Sequence, residues 1–139
     1  MAEGARRRRA TFASRDEARA RYGSRPPLST LDPRALDAYV THGFEDLPDG
    51  SVALRCRPDV EGDTFDAAGS ITIETIAGVS PPVVIARGGE EASPIADGSP
   101  LVAAALPQGR VATFPALGHF GPLEDPEAVA AEVLALTHG

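Results

Sequence analysis

Two short apolar runs, Val83-Val84-Ile85-Ala86 and Val111-Ala112-Thr113-Phe114, constrain this chain more than any other feature. Turn-forming residues flank each run, and Ile95 to Leu106 between them keeps helical spacing. A strand, a crossover helix and a second strand form a βαβ unit, whose strands must be parallel. Both strands of such a pair end on one edge of the sheet, about 4.8 Å apart where they are neighbours. Open α/β sheets carry their chemistry on that edge. Gly88-Gly89-Glu90-Glu91 follows the first run and Gly118-His119-Phe120-Gly121 the second. The pattern thus delivers an acid and an imidazole to one rim.

The remaining composition narrows the class. A length of 139 residues suits one ordinary domain, and 42% apolar with 24% charged residues argues against wholesale disorder. No apolar stretch approaches the length needed to span a bilayer, and the N-terminus lacks the apolar core of a signal peptide. A cytoplasmic protein without membrane association is therefore expected. The net charge of −7 argues against general nucleic-acid binding. The run Arg6-Arg7-Arg8-Arg9 is short and has no interleaved aromatics, so it is expected to be solvated and only locally basic. The single cysteine, Cys56, excludes an intrachain disulfide and is expected to be a small buried hydrophobe.

In the first half, Ser14 caps a short helix toward Tyr22, which Arg25-Pro26-Pro27 ends. Asp32 caps the next, with Pro33 in its first turn and Gly43 after its last. Leu31 and Leu36 sit at hydrophobic-staple positions, and Leu36, Tyr39 and Val40 make one stripe. His42 falls in the final turn, where it complements the helix dipole, and no second ligand stands at metal-binding spacing. No metal or cofactor is expected. Ser51 to Arg57 alternates like a half-exposed strand with Val52, Leu54 and Cys56 on one side. Pro58-Asp59 opens a helical stretch toward Phe65. Ile71 to Ile76 is ambiguous between strand and helix, with helix preferred. Asp125 and Pro126 open a closing helix whose stripe of Val129, Ala130, Val133 and Leu134 is expected to be buried.

The order of these elements resembles the C-terminal half of an α/β-hydrolase. Pro82 to Glu91 resembles the family's penultimate strand, which ends in a glycine with an acid shortly after. Gly118-His119 followed by Glu124-Asp125-Pro126 resembles the Gly-His pair and the Glu-x-Pro at the start of its last helix. The stretch from about Ala5 to Val79 looks like the helical cap inserted before that strand. The resemblance implies an α/β chain with a partial α/β-hydrolase fold: a helical cap-like segment over 1–79, then a parallel βαβα unit over 80–139. It also implies that His119 is the general base of a nucleophile–His–acid triad, with Glu91 as the acid and Glu90 as runner-up. The order acid, then histidine, is that of the family.

The family's nucleophile stands on a Gly-x-Ser-x-Gly elbow, and no such pentapeptide occurs here. The implied function is therefore the acid and histidine of an ester or related acyl hydrolase acting on a small-molecule substrate. Such a piece, beginning after the strand that precedes the cap, is expected to be inactive alone. The competing expectation is a non-catalytic fragment or interaction module that pairs, or self-associates, through an exposed strand edge.

Overall fold

The computed structural model describes residues 1–68, 73–89 and 94–137. The chain falls into two compact units, Met1–Ser70 and Ile71–Gly139.

The first unit sets helices α1 (Ala2–Arg6), α2 (Arg15–Gly23), α3 (Pro33–His42) and α4 (Pro58–Ala67) around a small antiparallel sheet. Its strands are β1 (Thr11–Phe12), β2 (Phe44–Asp46) and β3 (Val52–Leu54), in the order β1-β3-β2. Local sequence sets the helix ends. The Ser14 hydroxyl accepts from Glu17 N at 3.1 Å, while the Glu17 carboxylate reaches back to Ala13 N at 2.7 Å. Asp32 accepts from Arg34 N at 2.8 Å, and Pro33 occupies the first turn. Leu31, Leu36 and Val40 are buried, as the staple and stripe require.

Aromatic rings make this unit's core. Phe12, Ala18, Phe44, Val52 and Leu54 are buried with Tyr22 and Tyr39 packed against them. Ring centroids lie 5.6 to 6.2 Å apart in tilted and edge-on pairs, the geometry that aromatic quadrupoles favour.

One expectation is refined here and one corrected. The arginine run is largely solvated as expected, with Arg6, Arg7 and Arg9 exposed and Arg8 half-buried, but its side chains are paired. Arg6 donates to Asp63 and Asp66 at 2.7 Å each, and Arg8 to Glu61 at 2.5 Å and Tyr39 Oη at 2.9 Å. Arg7 pairs with Glu3, and Arg9 with Glu17 while lying over the Phe12 ring. The run thus bolts α1 onto α4 and ties the following segment to α2. Cys56 is exposed rather than buried. The strand stops at Leu54, with Arg55 N to Gly43 O at 2.9 Å as a further bond in the β2–β3 register, and Cys56 lies past that pairing.

In the second unit, β4 (Val83–Gly88), α5 (Pro94–Ala105) and β5 (Gly109–Phe114) form the parallel βαβ. The register pairs Val83 with Gly109 and Gly88 with Phe114. Ala103 and Leu106 are buried where α5 and the turn after it cover the strands. A single 3₁₀ turn, Ile73–Ile76, takes the place of the longer helix preferred for the ambiguous stretch; residues 71 and 72 lie outside the described residues. Among the described residues no third strand joins this sheet.

After β5 come the one-turn helix α6 (Gly121–Glu124) and the closing helix α7 (Pro126–Thr137). Asp125 caps α7 by accepting from Ala128 N at 2.9 Å. The expected burial of its stripe does not hold, since Val133 is 51% and Leu134 58% exposed. The helix packs chiefly against α6 rather than laying that stripe on the sheet.

Candidate active site

The rim at the C-terminal ends of β4 and β5 is assembled by backbone groups. Phe114 O, at the end of β5, accepts from Leu117 N at 3.1 Å, closing a turn. Gly89 N, one residue past β4, is shared between Phe114 O and Leu117 O, both at 3.0 Å. The chain leaving β4 is thereby fastened to the chain leaving β5.

Gly88 makes this closeness feasible. A Cβ there would stand 2.4 Å from both Leu117 O and Gly118 O, so only glycine lets the two backbones meet. Gly118 is fixed from its other side as well. Its N–H donates to Glu124 Oε2 at 2.6 Å, and its carbonyl accepts from Gly121 N at 3.3 Å. His119 follows directly, exposed, with its ring 5.1 Å from that of Phe120 in an edge-on arrangement.

Of the three residues named as candidates from the sequence, His119 stands on the expected rim. Glu90 and Glu91 lie outside the described residues. His42 belongs to the first unit, exposed at the end of α3. Among the described residues, no group of three His, Cys, Asp or Glu side chains could hold a metal ion. Sequence reasoning gave Glu124 no role beyond its place in the Glu-x-Pro pattern. Its bond to Gly118 depends on a four-residue helix too short to leave a periodic signal.

No protein-family model and no curated protein matches this sequence. Solved structures do. E-2-(acetamidomethylene)succinate hydrolase superposes with a TM-score of 0.78 over 99% of this chain and 52% of its own, at 17% identity. The peroxisomal alpha-beta-hydrolase Lpx1 of Saccharomyces cerevisiae gives the same TM-score, over 99% of this chain and 38% of its own, at 12% identity.

The chain has part of an α/β-hydrolase fold.

At these identities the likeness is one of fold, and the chain spans about half or less of the length of either hydrolase. Within an α/β-hydrolase fold, the β4–α5–β5 unit and the His119 loop occupy the kind of rim at which open parallel sheets place reactive side chains.

Proposed function

We propose that this chain supplies the histidine and the acid of an α/β-hydrolase site for ester or related acyl hydrolysis of a small molecule. The observation that carries the reading is the junction between the two loops, where Gly89 N bonds Leu117 O at 3.0 Å. Glu90 and Glu91 are the first and second residues after that anchored glycine.

In this reading His119 accepts the proton of a nucleophilic hydroxyl as the oxygen attacks the acyl carbon. It then returns that proton to the leaving group as the ester bond breaks. In the second half-reaction His119 deprotonates water, which attacks the acyl-enzyme, and the proton passes back to the nucleophile. Glu91, with Glu90 as the alternative, holds the imidazole tautomer and stabilises the imidazolium. The nucleophile is contributed by a Gly-x-Ser-x-Gly elbow that these 139 residues do not contain. The fractions of the two hydrolases spanned by this chain, 52% and 38%, support such a division.

The test is hydrolysis of an activated ester such as p-nitrophenyl acetate. The isolated chain should turn over no faster than an equal concentration of free imidazole. Adding a polypeptide that carries the elbow half of the fold should raise the rate, and His119→Ala should remove the gain by a factor of about 10³ or more. A gain that survives His119→Ala would refute the base assignment. Turnover by the isolated chain, lost in His119→Ala, would reveal a nucleophile within it.

The exposure of Val133 and Leu134 favours a second reading, a non-catalytic module that binds a partner or a second copy through its second unit. The same assay separates the two. An elbow half that binds the chain without any His119-dependent turnover fits only this second reading.

A further inference from the structure

We infer that Glu124 is a positioning residue that holds His119 in place through the backbone of Gly118. This rests on the reading of His119 as general base. Glu124 Oε2 accepts from Gly118 N at 2.6 Å, at the short end of what a charged acceptor forms. The other carboxylate oxygen sits where a side chain at residue 118 would be, 2.9 Å from a Cβ built there. Carboxylate and glycine are thus fitted to each other by a bond and by the absence of a side chain.

The rest of the loop explains why this one bond matters. Leu117 O is already engaged by Gly89 N, and Leu117 N by Phe114 O. Gly118 O faces Gly88 and takes Gly121 N only at 3.3 Å. The Gly118 amide is the last backbone donor before the imidazole, and it donates to Glu124. α6 delivers that carboxylate, because Glu124 N and Leu123 N both bond Phe120 O, at 3.0 and 2.6 Å, and this curls the chain back past His119. Glu124 therefore closes a ring of seven residues, from 118 to 124, in which His119 is the second. A general base needs such closure, since a displacement of about 1 Å at a reacting group costs about a hundredfold in rate.

Amide hydrogen exchange and NMR on the full 139-residue chain test this without turnover. Glu124→Ala should speed exchange at Gly118 by about tenfold or more, the loss of a hydrogen bond to a charged acceptor. Amides of β4 and β5 should stay within about threefold, and Glu124→Gln, which keeps an acceptor without the charge, should fall between. The ring contact between His119 and Phe120 should weaken in Glu124→Ala and return in part in Glu124→Gln. In the reconstituted hydrolysis, Glu124→Ala should lower kcat about tenfold or more with KM unchanged. Equal acceleration across β4, β5 and α5 would make Glu124 a general stability residue and overturn the inference. So would Gly118 exchange within about twofold of the parent in both variants. Should Glu124→Ala fail to fold, the isosteric Glu124→Gln decides by the same criteria. If His119→Ala leaves the reconstituted rate intact, the base reading fails, while Gly118 exchange still reports whether Glu124 holds the loop.

Discussion

Replacing Gly88 by alanine tests the junction on which the site depends. Its φ is not in the left-handed region, so alanine can adopt the backbone and the penalty is steric. The new methyl carbon would stand 2.4 Å from Leu117 O and from Gly118 O, and 2.8 Å from Gly118 C. A relaxed carbon–oxygen contact is about 3.4 Å, so the two loops must part by about 1 Å. All three neighbours are backbone atoms, so no side chain can swing aside. Parting also stretches the bonds from Gly89 N to Phe114 O and Leu117 O, now 3.0 Å each, beyond good geometry. Overpacking of this kind costs about 1–3 kcal/mol and a weakened hydrogen bond about 1 kcal/mol. The stiffer unfolded chain returns about 0.5 kcal/mol. The net is about 2 kcal/mol. With a urea m-value of about 1.5 kcal/mol/M, the midpoint of the second unit should fall by more than 1 M. Amide signals of β4 and β5 report that midpoint, and those of Leu117, Gly118 and His119 should shift most at zero denaturant. Gly98→Ala on α5 is the control, because a Cβ there meets nothing within 4 Å and helix propensity alone should raise the midpoint. A fall under about 0.3 M for Gly88→Ala, with unmoved Leu117 and Gly118 signals, would refute the claim that this contact sets the loop.

Two further outcomes concern the first unit. Arg8→Met should cost about 2 kcal/mol, because it strands Glu61, only 24% exposed, and frees the Tyr39 hydroxyl; Glu61→Gln in the same chain should recover part of the loss, and a change under about 0.5 kcal/mol by urea titration would remove Arg8 from the bolt. The unit's stability should be level from pH 7 to about 5 and decline below about 4.5. Arg57 holds Asp59 down to about 2, Arg34 lowers Asp32, Arg15 lowers Asp46, and the Ala13 amide with Arg9 lowers Glu17. Each folded pKa lies below its unfolded value, so the contribution is complete above the unfolded pKa and is lost as pH falls through the folded one. A urea midpoint that rises between pH 4.5 and 2.5 would contradict this.

How much of this was legible in the sequence follows from the range of each interaction. The β4–α5–β5 unit, α3 and the caps at Ser14, Asp32 and Asp125 are decided within one helical turn or one strand, and they appear where the pattern puts them. β1 and β2 were not anticipated, because strands of two and three residues are too short to alternate. Both exist by pairing with β3, which only the folded unit brings near. The ion pairs of the arginine run were not anticipated for the same reason. Its neighbours in sequence are other arginines, whereas the carboxylate partners of Arg6 and Arg8 lie 53 to 60 residues away. Burial of Val133 and Leu134 was inferred from spacing, but spacing only says that two residues share a helix face, not that anything covers it.

The candidate site was half legible, and the division has a physical basis. A histidine after a glycine at a strand end can be read from letters, because the side chain itself is the signal. The hold on it cannot, because it is made by Gly89 N, Leu117 O and Gly118 N, groups that almost every residue possesses. The sequence marks that hold by the side chains missing at residues 88 and 118 and by the one carboxylate at Glu124 that answers Gly118 N. The position of His119 is therefore inherited from strand register. Gly88 stands opposite Phe114, and that pairing presents Gly89 N to the carbonyls of Phe114 and Leu117. A slip that set Arg87 in the place of Gly88 would bring a side chain against the Leu117–Gly118 carbonyls, and a slip either way would turn every strand side chain to the other face. The two glycines thus specify the register as firmly as the apolar runs do. Substitutions at 88 or 118 should for that reason move the imidazole before they unfold the sheet.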